Sequence, residues 1–228
     1  MSHLSAPEDF ADWNEEMIRR HDPDTFYNHP IPVVRWVEAQ RVKAIVHGLE
    51  LKAESSLLDV GCGAGSLLNV LTCREMTGIE LSPTMAARAR ERVGSDARIL
   101  EGNAEDLPFP DHAFDRVVAS SLLSHVLHPE RVVKELKRVT RPGGLVVVSI
   151  SDEGQIERGM KWAKNLGFQK LFGGDKVSEA QSAYHVDYHL HRFSLLRLRT
   201  LVGDDLEEIS VTRIPFFFAV HDVVVYGA

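Results

Sequence analysis

The sequence predicts an α/β domain with a doubly wound, mostly parallel seven-stranded sheet closed by an antiparallel C-terminal hairpin. Three observations predict it. From residue 56 to 150, short apolar runs of strand length alternate with segments of helical periodicity, the signature of βαβ units. The run Leu145 to Ile150 is apolar on both faces, as a strand covered from both sides must be. Beyond residue 205, two strand-like runs share a connection too short for a parallel crossover.

The elements follow in order. Residues 9 to 21 form a helix that Asp22-Pro23-Asp24 breaks. A second helix runs from Pro32 to Leu49, with Val33, Val34, Val37, Val42, Ile45, Val46 and Leu49 at helical spacing, Pro32 in its first turn and Gly48 near its end. Ser56 to Val60 is the first strand. It ends in Asp59-Val60-Gly61-Cys62-Gly63-Ala64-Gly65, and a helix is expected over Leu67 to Leu71. Thr77 to Leu81 is the second strand. Ser82 then caps a helix that has Pro83 at its first position. Arg98 to Glu101 and Phe114 to Ala119 are strands three and four. Pro129 opens a helix carrying Val132, Val133, Leu136 and Val139, which Arg141-Pro142-Gly143-Gly144 stops before the fifth strand. Two glycine-punctuated pieces, 155–166 and 168–182, read as partly helical. Ser194 caps a helix through Leu195, Leu198 and Val202, and runs 206–218 and 222–226 supply the final strands.

Composition narrows the function classes. The chain has 228 residues, enough for one domain, with 44% hydrophobic and 26% charged residues, which excludes global disorder. Its net charge is -7, and Lys and Arg fall at helical spacing, so no basic footprint for nucleic acid emerges. Two cysteines, Cys62 and Cys73, are too few for a disulfide scaffold and fit a reducing compartment. The acidic N-terminus lacks a signal-peptide apolar stretch, and no apolar run reaches the ~20 residues of a membrane span. A cytoplasmic location is expected. Oligomeric state has no signature here.

The strand–glycine-loop–helix unit is a generic cofactor cradle at the carboxyl edge of a parallel sheet. A dinucleotide fingerprint would put glycine or alanine at position 66, but Ser66 stands there and the third glycine comes one residue early, at Gly65. The pattern D-x-G-x-G-x-G resembles motif I of class I S-adenosylmethionine-dependent methyltransferases. Glu80, at the end of the second strand, matches the acid that binds ribose hydroxyls in this family and in dinucleotide enzymes alike. Gly102-Asn103-Ala104-Glu105-Asp106-Leu107 after the third strand, and Arg138 to Gly144 before the fifth, resemble further family segments. The resemblance covers residues 50 to 151 by motif and 194 to 228 by topology.

The resemblance implies S-adenosyl-L-methionine as cofactor and a small-molecule acceptor, as in ubiquinone biosynthesis. It implies that Asp59, Gly61, Cys62, Gly63, Gly65, Glu80, Leu81, Met85, Asn103, Ala104, Glu105 and Ser120 form the cofactor site, with Tyr27 folding over it. Leu107 is a further candidate for closing the adenine pocket. Asn103 stands where family members often have aspartate, so the adenine amino group would meet an amide oxygen without charge assistance. His125, after the fourth strand, is placed to serve as general base for an acceptor hydroxyl. His185, Asp187, His189 and His191 alternate and would share one face of a strand. Such alternation can bind zinc, but no metal is expected; the resemblance places this segment in the substrate-side lid and so assigns His185, Tyr188 and His189 to the substrate pocket. The implied division is a helical N-terminal lid over 1–50, a cofactor-binding core over 51–151, a substrate-side lid over 152–193, and a capping helix with hairpin over 194–228. Trp162, Phe168, Phe172, Tyr184 and Tyr188 give that lid an aromatic character. No Asn-Pro-Pro-Tyr-type segment follows the fourth strand; Ala119-Ser120-Ser121-Leu122 stands there, which counts against nucleic-acid bases. Alternatives are a tRNA or protein acceptor, a non-catalytic adaptor that keeps the fold, and an NAD-dependent oxidoreductase.

Overall fold

The computed structural model describes residues 9–22, 29–165, 189–215 and 220–228. In chain order the elements are α1 (Phe10–Arg20), α2 (Pro32–Leu49), β1 (Ser56–Val60), a 3-10 turn (Leu68–Val70), β2 (Glu75–Glu80), α3 (Pro83–Val93), β3 (Arg98–Glu101), β4 (Phe114–Ser120), α4 (Pro129–Val139), β5 (Thr140–Ser151), α5 (Glu153–Asn165), α6 (Leu195–Val202), β6 (Glu207–Ile214) and β7 (His221–Gly227). The sheet order is β3-β2-β1-β4-β5-β7-β6. Strands β1 to β5 pair in parallel, and β7 runs antiparallel between β5 and β6. This is the doubly wound sheet and hairpin that the sequence predicts.

Two apolar layers cover the sheet. On one face Ile45 and Leu49 of α2 and Ala86, Ala89 and Val93 of α3 pack with Leu57, Met76, Val118 and Val147. On the other, Val132, Val133 and Leu136 of α4 and Leu195, Leu198 and Val202 of α6 pack with Leu58, Val117, Val146 and Val148. Alternate residues of one strand enter opposite layers, as the pleat requires. α1 adds Met17 and Ile18, which meet Ala64 and Met85 over the glycine loop.

Local chemistry explains the best-predicted helices. Ser82 Oγ accepts from the Met85 amide at 3.1 Å and caps α3, with Pro83 following it. Ser194 caps α6 in the same way through the Arg197 amide.

Three expectations need correction. The helix expected over Leu67 to Leu71 is only a single 3-10 turn, Leu68–Val70. Leu71 is already extended, and β2 starts at Glu75 rather than Thr77, so the chain has too few residues left for an α-helix. Arg141 to Gly144 do not lie outside the fifth strand. β5 begins at Thr140 beside Phe114 and shifts register before Leu145 pairs with Arg116. Nor do His189 and His191 sit on a strand. The amides of Leu190 and His191 donate instead to the single carbonyl of Ser124, in the loop after β4. The piece read as 155–166 is α5, and 168–182 lies outside the described residues.

Candidate functional site

The carboxyl ends of β1, β2 and β4 meet at one edge of the sheet, where α/β proteins bind ligands. There the chain leaves β1 through Gly61, Gly63 and Gly65, whose φ values are 72°, 54° and 76°. Those angles belong to the left-handed region that favours glycine. At Gly61 and Gly65 close packing adds a second constraint. A Cβ at Gly61 would lie 2.7 Å from Leu122, and one at Gly65 3.2 Å from the Ala89 backbone. Gly63 is different: nothing lies within 4 Å of the place its Cβ would take. The space beside its Cα is open.

Glu80 locks this loop from the side. One carboxylate oxygen accepts from the Gly63 amide at 2.9 Å, and the other from the Ser82 amide at 2.9 Å. Burial raises the Glu80 carboxyl above its ordinary range, against the opposing pull of those amides. Asp59, two residues before Gly61 in β1, is 1% exposed. Neither of its carboxylate oxygens has a hydrogen-bond partner among the described residues. Burial, reinforced by the Glu80 charge and opposed by Arg41, raises it to about 7. A buried acid left without partners is expensive, and a cationic ligand group over the loop would relieve that cost.

Other predicted residues divide by role. Asn103 is exposed beside the β3 end, and its Oδ1 accepts from the Glu105 amide at 2.9 Å. Glu105 itself is turned to structural use: its Oε1 accepts from the Leu127 and His128 amides, both at 2.9 Å. It thereby ties the loop after β3 to the start of α4. Ala104 and Leu107 are buried in the α4-side layer. Cys62 packs into the opposite layer, and burial pushes its thiol far up, so no reactive thiolate forms. Met85 joins Met17 and Ile18, while Leu81 is half-buried at the strand end. Ser120 ends β4 and accepts from Arg41 Nη1 at 2.5 Å. His125 and His189 meet edge to face, with ring centroids 4.6 Å apart. Tyr27, His185 and Tyr188 lie outside the described residues. Among the described residues no group of three or more potential metal ligands gathers.

Several residues at this edge escaped the sequence reading. Arg41 of α2 is buried and donates to Glu38 Oε2 through Nε at 2.9 Å and Nη2 at 2.6 Å. Glu38 Oε1 lies 3.1 Å from His221 Nε2. Burial pushes Glu38 up, but Arg41 and His221 outweigh it and hold the carboxyl at about 2. Glu15 of α1 accepts from Ser82 and Thr84. In sequence, Glu38 and Arg41 are a three-residue helical spacing that reads as a solvated pair. Only packing onto the sheet buries it.

Comparison with known proteins agrees with this arrangement. Residues 58–148 match the family described as "Methyltransferase domain". A phosphatidylethanolamine N-methyltransferase of Cereibacter sphaeroides is 45% identical over 135 residues, 54% of this chain and 66% of that protein. A demethylmenaquinone methyltransferase of Thermus thermophilus is 38% identical over 122 residues, 50% of this chain and 53% of that protein. The chain thus spans less than two thirds of the length of these relatives. Among solved structures, the N-methyltransferase NodS of Bradyrhizobium japonicum, in complex with S-adenosyl-L-homocysteine, superposes with a TM-score of 0.68 at 16% identity. That match covers 94% of this chain and 97% of NodS. Motif, sheet order and the match over residues 58–148 agree: this stretch is similar to the methyltransferase domain family, and the fold is that of S-adenosylmethionine-dependent methyltransferases.

Proposed function

We propose that this protein transfers a methyl group from S-adenosyl-L-methionine to a small-molecule acceptor. The observation that carries the reading is the left-handed glycine loop after β1, open at Gly63 and held there by Glu80, with the buried Asp59 oxygens unpartnered among the described residues. Bound S-adenosylmethionine supplies a methyl group already activated by a sulfonium, so the protein's task is mainly alignment and exclusion of water.

Each residue then has a part. Gly61, Gly63 and Gly65 let the backbone approach the cofactor. Glu80 offers its carboxylate to ribose hydroxyls while keeping the Gly63 amide in place. Asn103 and the Ala104 backbone read the adenine edge, and Leu81 and Leu107 flank the ring. Asp59 and Ser120 stand at the methionine end, where a cationic ammonium suits a buried carboxyl. Within residues 1–50, α2 covers the sheet, and α1, which meets Ala64 of the glycine loop, acts with residues 152–193 as a lid over cofactor and acceptor; Tyr27, His185 and Tyr188 are assigned to the lids from the sequence alone. The relatives whose names specify phosphatidylethanolamine and demethylmenaquinone support acceptors that join a polar head to an apolar body. Among the described residues no helix is long and apolar enough to cross a membrane. The free thiols Cys62 and Cys73 suit a reducing compartment, and the cytoplasm is the location we infer.

Calorimetry of the whole chain with S-adenosylmethionine and, separately, with NAD tests the reading. Micromolar-range binding (~8 kcal/mol) of the first and none of the second is expected. Binding of NAD alone would return the chain to the oxidoreductase reading, and binding of neither would favour the adaptor.

A further inference from the structure

The outer flank of α2 meets the edge strand β6 in a groove that cofactor binding does not use. Trp36, Gln40, Lys43 and Ala44 of α2 line one side of it. Their spacing puts them on one face of the helix. Thr212, Ile214 and Pro215, at the end of β6, line the other side, and the groove has a volume of about 390 Å³. The opposite face of α2 carries Ile45 and Leu49 into the layer over the sheet. In the sheet order, β4, β5 and β7 stand between β1 and β6. At the usual strand spacing that separates β6 from β1 by about 19 Å, so the groove is distinct from the glycine-loop site.

The lining joins an apolar wall to polar groups that lack protein partners. Trp36 is 50% exposed, although Ile214 across from it is buried. An indole laid open beside Ala44, Ile214 and Pro215 is a flat surface for hydrocarbon. Lys43 has no ion-pair partner among the described residues, and the side chains of Trp36, Gln40, Lys43 and Thr212 make no hydrogen bond there. Arg213 also lines the groove, but it lies 3.6 Å from Asp222 and is neutralised by it. No carboxylate lines the groove, in a chain whose net charge is -7. The cationic lining is therefore a local feature that runs against the average of the chain, and it is complementary to an anion.

We propose that the groove between α2 and β6 binds a free single-chain anionic amphiphile, an alkyl or acyl chain that ends in a carboxylate or phosphate. The chain lies on Trp36, Ala44, Ile214 and Pro215. The anionic head meets the Lys43 ammonium, and Gln40 and Thr212 donate to its oxygens. Small-molecule sites commonly enclose ~300–1,000 Å³ and join a mostly apolar lining to a few polar groups, which this groove does. A protein partner fits it less well, because a stable interface engages roughly 20–30 residues a side. An inorganic anion would leave the apolar wall bare, and a neutral hydrocarbon would leave Lys43 without a counter-ion. The proposal goes beyond methyl transfer and does not depend on it.

NMR of the whole chain with nitrogen-15-labelled tryptophan reads the groove directly, since Trp36→Phe assigns the Trp36 indole signal. Dodecanoate and dodecyl phosphate, each below its micelle concentration, should shift that signal saturably and leave those of Trp13 and Trp162 in place. Calorimetry should show binding weakened ~5-fold in Lys43→Gln and ~10-fold in Trp36→Ala. Both side chains are exposed, so circular dichroism of the variants should stay native. Inorganic phosphate alone should leave the Trp36 signal unmoved, and dodecanol should bind the parent and Lys43→Gln equally. No shift of the Trp36 signal up to the micelle concentration would overturn the proposal. So would amphiphile binding of equal strength in the parent and both variants, or binding that saturating S-adenosylmethionine abolishes, since either places the ligand elsewhere. Cosedimentation with phosphatidylglycerol–phosphatidylcholine vesicles that depends on Trp36 and Lys43, without binding of the monomeric probes, would make this face a membrane-docking surface and would also overturn the proposal.

Discussion

At Gly63 the chain bends with φ of 54° into open space. That combination separates folding from ligand binding. A side chain there meets nothing in the protein, so Gly63→Arg costs only the strain of a left-handed residue, about 1–2 kcal/mol. It would fill the cradle, and calorimetry should show S-adenosylmethionine binding lost while circular dichroism stays native. Retained binding would refute the site assignment. Asp59 makes the complementary prediction about pH. Its carboxyl rises from 3.8 to about 7 in the folded chain, so between those values the folded state holds a proton that the unfolded state has released. Stability therefore falls as pH rises through that window. Thermal melts of Asp59→Asn should show that decline flattened, with the variant ahead of the parent above pH 7. A parallel decline in both chains would place the buried charge elsewhere.

Among the elements, α3 shows local sequence deciding structure. Ser82 is buried at 1% exposure and satisfies the Met85 amide, while its hydroxyl also reaches Glu15 of α1. Ser82→Ala should cost ~1 kcal/mol for the cap alone, read as a lower urea midpoint. Loss of the α1 contact adds to it, so a midpoint unchanged from the parent would contradict the cap. The 3-10 turn at Leu68–Val70 teaches the opposite lesson. Its residues have helical character, yet β2 must begin at Glu75 to pair with Ser56 of β1, and that register shortens the helix to one turn. Sheet pairing overrides local preference here. The same constraint carries β5 back to Thr140, through a proline and two glycines that in sequence mark a boundary.

Across the whole molecule, the Glu38–Arg41–His221 network joins α2 to the carboxyl ends of the central strands. Arg41 reaches Ser120 of β4 and Ser149 of β5, and His221 of β7 meets Ser151 of β5. Removing one charge leaves the other buried, so Arg41→Met should cost ~3–5 kcal/mol by denaturant unfolding. The double variant Glu38→Gln, Arg41→Met should recover much of that loss. The pH dependence has the opposite sign to that of Asp59. Glu38 falls from 4.5 to about 2 on folding, so its contribution is present above pH 4.5 and is lost as pH drops through that interval. An acid limb that persists unchanged in the double variant would show that other carboxylates set it.

The identity and order of the elements were legible in the sequence because their signals are local: alternating periodicity, Ser82-Pro83 and Ser194 as caps, and glycines at the end of β1. The glycine loop was legible for the same reason, since Gly61, Gly63 and Gly65 must adopt angles that other residues avoid. Packing alone decided the remainder. Glu38 with Arg41, and Glu153 with His189, are respectively 3 and 36 residues apart, and nothing in their spacing says they will be buried together. Glu105 lies within a segment that the family resemblance assigns to the cofactor, yet its carboxylate serves the start of α4. Where a charged side chain ends depends on which elements close over it, and that is a property of the assembled sheet rather than of any stretch of chain.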